Sequence, residues 1–212
     1  MGLLKRIFGK GDAESDKRVE QDIVQVESGQ VTKIYPVLKG GDWVGIKAGA
    51  LKQTLIGTPE QPELLVAFAY NAPGNFIFLT QKDLEGKDPD KLLKEAYDNL
   101  EEVESKFEIS ETLNRKVLTS SGNDFSSEKI LCKSHMIKAH ELLQSKELLV
   151  SIPRRRCMMI TSKQADKELL NTFLALHKHA WDDDSYGNAP IINALFVVVD
   201  GQIDGIIPLN SK

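Results

Sequence analysis

Two cysteines and four histidines in 212 residues leave little from which to build a metal centre or a disulfide framework. Cys132 and Cys157 cannot supply a four-cysteine zinc site or the several bridges of a small secreted scaffold. Long apolar runs are missing as well, since none approaches the ~20 residues of a membrane-spanning helix. The N-terminus, MGLLKRIFGKGD, has neither the apolar stretch nor the small-residue cleavage site of a signal peptide. An excess of positive charge is also absent. The net charge of −4 argues against general nucleic-acid affinity, which needs many cationic contacts to phosphate. There is no Walker motif, no G-x-G-x-x-G and no internal repeat. These absences predict a cytosolic protein with no cofactor, no metal and no specific nucleic-acid partner.

What is present suits a globular fold. Hydrophobic residues make up 41% of the chain and charged residues 27%, ordinary values for a soluble domain. A fold of this size buries roughly 70% of the surface its unfolded chain exposes, enough for a core without staples. The pattern predicts a leader and hinge over residues 1–28, then a single α+β domain over residues 29–212. In the leader, Leu3, Leu4, Ile7 and Phe8 stand at helical spacing beside Lys5, Arg6 and Lys10. They read either as a short anchor for an anionic membrane surface or as a segment packed on the body.

Strand signals dominate the first half. Val31 to Leu38 is rich in β-formers, and Pro36 within it points to an edge strand. Leu64 to Tyr70 and Phe76 to Thr80 flank Asn71-Ala72-Pro73-Gly74, a hairpin pattern. Ala48 to Ile56 fits helix or strand. Asp88 before Pro89 marks a helix start, followed by an apolar stripe of Leu92, Ala96, Leu100 and Val103. Ser126 or Ser127 is placed as the cap of a second helix. Glu147 to Ile152 and Cys157 to Thr161 read as strands, and Lys163 to Trp181 as the last helix. Asp200-Gly201 between two apolar runs is a strong hairpin signal. Hairpins and non-alternating elements favour α+β, with a mixed, largely antiparallel sheet and about three main helices packed on it.

The order of several short motifs resembles the YtpQ-like group of bacterial cytosolic proteins. These are Ile34-Tyr35-Pro36-Val37, Ala96-Tyr97-Asp98-Asn99-Leu100, Leu149-Val150-Ser151-Ile152-Pro153-Arg154-Arg155 and Pro190-Ile191-Ile192-Asn193-Ala194-Leu195-Phe196. The resemblance spans residues 31–208 and implies fold and compartment. That group has no assigned function and offers no catalytic residues to transfer. Where its pattern tends to place an acid after the proline–arginine step, this chain has Arg156.

Candidate chemistry is thin. His135 and His140 are five apart, and His177 and His179 two apart, so neither pair converges on one helix face as a zinc pair at i,i+4 does. As a calcium loop, residues 182–193 place Tyr186 and Asn193 where ligands belong, and so fail. Cys132 and His135 are one helical turn apart without a third group to orient the histidine, and a core thiol is the simpler reading. Cys157 follows three arginines, whose charge lowers a thiol pKa, but strand alternation turns it towards a core. Ser126-x-x-Lys129 matches an acyl-transfer spacing without the companion motifs, and reads as a helix cap with a surface lysine.

Arg154-Arg155-Arg156 remains. If the segment is extended, Arg154 and Arg156 share a face about 6.6 Å apart and can clamp an anion. Alternatively they pair with the protein's own acids, such as Asp182 to Asp184. The expectation is a non-enzymatic binding module, with Arg154 and Arg156 contacting a protein or small anionic ligand. Its competitor is an enzyme acting on a phosphorylated or carboxylated small molecule, with His135 or His140 drawn into the pocket.

Overall fold

The computed structural model describes residues 13–121, 124–185 and 187–209. The expected leader over Met1 to Lys10 lies outside these residues. Four α-helices and two antiparallel sheets make an α+β fold, in two compact units of residues 1–99 and 100–212.

In the first unit the long strand β3 (Pro62–Asn71) organises the sheet. It pairs antiparallel with β1 (Ile34–Gly40), β2 (Lys52–Gly57) and β4 (Phe76–Phe78). Leu64 to Ala69 are buried without interruption, because both faces of β3 are covered. The ambiguous stretch Ala48 to Ile56 resolves as β2. Pro36 lies in β1, an outer strand, where its missing N–H takes no bond from the ladder. Helix α1 (Ala13–Glu27) lies against β4 and buries Val19 and Asp22, whose carboxylate accepts from Asn75 at 2.8 Å.

Helix α2 (Pro89–Glu102) starts as its sequence indicates. The Asp88 carboxylate accepts from the backbone N–H groups of Asp90 and Lys91 at 3.0 and 3.3 Å. Asp88→Ala is expected to lower stability by about 1 kcal/mol, read as a shift of the urea midpoint at unchanged slope. Further along, Asn99 donates to the Ile34 carbonyl at 3.1 Å and so occupies the outer rim of β1.

The second unit holds a six-stranded sheet. It comprises β5 (Glu108–Ile109), β6 (Val117–Ser121), β7 (Glu147–Ser151), β8 (Cys157–Ser162), β9 (Ala194–Val199) and β10 (Gln202–Pro208), in the order β10-β9-β7-β8-β6-β5. Strand alternation divides it between two helices. Leu149, Met159, Leu195 and Val197 pack with Leu169 and Phe173 of α4 (Lys167–Asp182). Leu148, Val150, Ile160 and Phe196 point to the opposite face, where α3 (Lys133–Leu143) lies against β6 and β8. Burial on both faces explains the near-continuous apolar runs of β7 to β9. Asp200 and Gly201 both take positive φ, 49° and 76°, as a two-residue hairpin of this type requires.

The expected helix cap at Ser126 or Ser127 does not form. Residues 124–127 make a tight turn, a 3-10 segment follows at Glu128–Leu131, and α3 opens only after Cys132. Ser127 makes no capping bond to the backbone that follows it, because its hydroxyl is engaged by Glu128 and by Arg156. Nor is Lys129 a surface lysine. It is buried, and its ammonium donates to the carbonyls of Leu100 and Glu101 at 2.7 and 3.4 Å. Those carbonyls lie in the last turn of α2, which has no intrahelical donors for them and favours a cation.

Candidate functional site

The three arginines sit between β7 and β8 in a tight connection rather than an extended strand. Arg154 forms a single bridge with Pro190, and Arg156 is left-handed at φ 65°. The shared face that alternation would give Arg154 and Arg156 is therefore not formed, and the two side chains have different surroundings.

Arg154 points inward and is 7% exposed. Its Nε donates to the Ala180 carbonyl at 2.7 Å and Nη1 to the Asn188 carbonyl at 2.9 Å. Nη2 donates to the Trp181 carbonyl and to the Asp184 carboxylate, both at 2.6 Å. Two of these acceptors belong to the last turn of α4, where unpaired carbonyls and the helix dipole favour a cation. The backbone continues the attachment. Arg155 N–H donates to the Ala189 carbonyl at 3.0 Å, and Ile191 N–H to the Pro153 carbonyl at 2.8 Å. Arg154 thus pins the end of α4 and the loop after it to the β7–β8 connection. The pairing with Asp184 is the alternative that the sequence left open.

Arg156 faces the turn at 124–127. Its backbone N–H donates to Ser127 Oγ at 3.0 Å, and Ser127 Oγ donates to Glu128 at 2.9 Å. Its Nε stands 3.7 Å from the Asp124 carboxylate, with both side chains roughly half exposed. Burial lowers the Arg155 pKa, against the opposing pull of Glu128 and Asp124 and with the added repulsion of Arg156. The guanidinium stays charged at any physiological pH. Ser126, Ser127 and Glu128 are all fully buried, and the Ser126 hydroxyl has no hydrogen-bond partner. Strained backbone, buried charge and an unmet hydroxyl therefore converge on one corner of the second unit. Sequence spacing carried no sign of it beyond the Ser-Ser-Glu-Lys run itself.

The other candidates resolve differently. Burial pushes the Cys132 thiol up to about 12 and raises Cys157 as well, so both are protonated and inert at neutral pH. His135 stacks on Phe107 with ring centroids 4.1 Å apart. Burial, with help from Lys129 and Lys138, holds it down at about 4. His140 Nε2 accepts from Gly201 N–H at 3.3 Å, which leaves Nδ1–H to donate to the Ser145 carbonyl at 2.7 Å. Among the described residues, no group of three or more His, Cys, Asp or Glu is placed to hold a metal ion. No described helix is long and apolar enough to cross a membrane.

One arrangement with catalytic connectivity escaped the sequence reading. Ser151 Oγ is 2.8 Å from His177 Nδ1, and His177 Nε2 is 3.2 Å from Asn193 Oδ1. Asn193 Oδ1 can only accept, so Nε2 carries the proton and Nδ1 accepts from the serine. Ser151 and His177 are both 0% exposed, which leaves a substrate no approach. The series is a polar strut tying β7 and α4 to the segment before β9. A signal for it existed: Ser151 shares the Leu149 face of its strand, and His177 follows Phe173 by one turn.

The class these features define is an α+β protein with two antiparallel sheets and a charged, strained corner at Arg156. No family model, curated protein or solved structure matches the chain.

Proposed function

We propose that the protein works by binding, without chemistry of its own, and that Arg156 with its neighbour Arg155 contacts an anionic group on a partner protein or small ligand. The observation that carries this reading is the left-handed backbone at Arg156, φ 65°, locked by the Ser127 hydroxyl. Such a conformation is costly for a side chain with a Cβ and persists where the surroundings over-determine it, often at functional sites. Here it presents a guanidinium to solvent beside a second one. Arg154, also expected at the contact, spends its donors inside the fold and positions the segment. The non-catalytic part rests on the thiols and on His135, which burial holds in unreactive forms.

A thermal-shift screen against nucleotides, phosphorylated metabolites, di- and tricarboxylates and acidic peptides tests this. A ligand at 100 times its dissociation constant adds about 2.7 kcal/mol, readily seen as a higher melting temperature. Arg156→Ala is expected to abolish the shift while moving the unliganded stability by less than about 1 kcal/mol, since the side chain is half exposed. If every hit survives in Arg156→Ala with unchanged affinity, the contact lies elsewhere.

A further inference from the structure

We infer that the Arg156 contact takes a carboxylate, and that Asp124 already sits at it as an internal ligand which a partner's carboxylate displaces. This rests on the anion-binding reading of Arg156 above. Asp124 Oδ1 lies 3.7 Å from Arg156 Nε, close enough for an ion pair and too far for a hydrogen bond. The two side chains are 52% and 40% exposed, so water competes for both and the pair exchanges readily. The group that the protein itself offers to this guanidinium is therefore a weakly held carboxylate. A guanidinium fork takes a planar carboxylate through two parallel N–H bonds, a geometry Asp124 does not reach.

Local charge favours the same class. Arg155 and Arg156 face Asp124 and the fully buried Glu128, two positive groups against two negative. Exchanging Asp124 for another singly charged carboxylate preserves that balance. A phosphoryl group, at about −1.5 to −2 near neutral pH, adds negative charge beside a Glu128 that cannot leave. Ser126 supplies the remaining element. It lies in the chain between Asp124 and Ser127, both of which touch Arg156. Its fully buried hydroxyl makes no hydrogen bond. A bound carboxylate has acceptor positions beyond the two an arginine uses, and the Ser126 hydroxyl fills one of them.

The test is a titration of the full chain with succinate, a tetraglutamate peptide and inorganic phosphate, each against sodium chloride at matched ionic strength. Succinate and the peptide are expected to bind and phosphate to bind less well; the peptide arm tells a protein partner from a small carboxylate. Asp124→Asn is expected to tighten succinate binding roughly three- to fivefold by removing the competitor, the weight of one exposed ion pair. Ser126→Ala is expected to weaken it about fivefold or more while the melting temperature holds or rises, since an unmet buried hydroxyl is lost. Arg156→Gln abolishes binding. If that variant fails to fold, Arg156→Lys keeps the charge without the fork and is expected to weaken binding at least about threefold. An Asp124→Asn protein that binds no tighter overturns the displacement. A Ser126→Ala protein with unchanged affinity and a lowered melting temperature overturns that donor. Phosphate binding better than succinate overturns the carboxylate and leaves the anion contact standing, whereas full-strength binding by Arg156→Gln overturns both.

Discussion

Arg154→Ala is expected to lower the unfolding free energy by about 3–4 kcal/mol, the largest single effect among the arginines. The side chain is 7% exposed and gives four hydrogen bonds to groups that have few other partners. Truncation strands the Ala180 and Trp181 carbonyls at the end of α4, where intrahelical donors are already lacking. It also frees the loop over residues 183–191 from the β7–β8 connection. Arg154→Lys is expected to recover less than half of the loss, because an ammonium has no planar fork to span acceptors on both sides. Urea unfolding followed by tryptophan fluorescence measures this, and Trp181 reports directly from the affected turn. Losses below about 1 kcal/mol would show that the guanidinium network is not what secures α4. Arg156→Ala, two residues on, is expected to leave stability nearly unchanged, so the pair separates fold from contact.

The sequence could not tell these two arginines apart, and the reason is distance along the chain. The acceptors of Arg154 begin 26 residues downstream at Ala180, beyond any periodicity a local reading uses. The alternation argument also assumed an extended segment, and the left-handed turn at Arg156 breaks that alternation. Local chemistry fared better. Asp88 with Pro89 placed the start of α2, Asp200-Gly201 placed the last hairpin, and the apolar runs of β7 to β9 announced a sheet covered on both sides. Ser126 and Ser127 failed as caps for the same physical reason that Arg154 failed as a surface contact. A short polar pattern satisfies its bonds locally only where the fold leaves it exposed, and here Glu128 and Arg156 claimed Ser127 first. Lys129 shows the rule again, since its partners are carbonyls 28 and 29 residues upstream.

Stability is expected to fall steadily as pH drops from about 6.5 towards 4, ahead of the range in which ordinary carboxylates titrate. His135 and His177 carry this effect. Burial lowers both pKa values; Lys129 and Lys138 add to the lowering at His135, which is held at about 4, while the Asn193 bond works against it at His177. Unfolded, each histidine titrates near 6.5. Above that pH both states are neutral and the full stability is present. Between 6.5 and 4 the unfolded chain takes up protons that the folded chain refuses, so it gains free energy relative to the fold. For His135 the loss reaches on the order of 3 kcal/mol at pH 4 and levels off below it. A buried imidazolium there faces two lysine ammonium groups, and its Nε2–H finds no acceptor. His135→Gln removes the titration and keeps a polar side chain. Its stability relative to the native protein should therefore improve by about 2 kcal/mol or more between pH 7.5 and pH 4.5. Urea unfolding at both pH values gives that difference. An equal deficit at the two would show that His135 does not titrate between the states, and would leave His177 to account for any remaining slope.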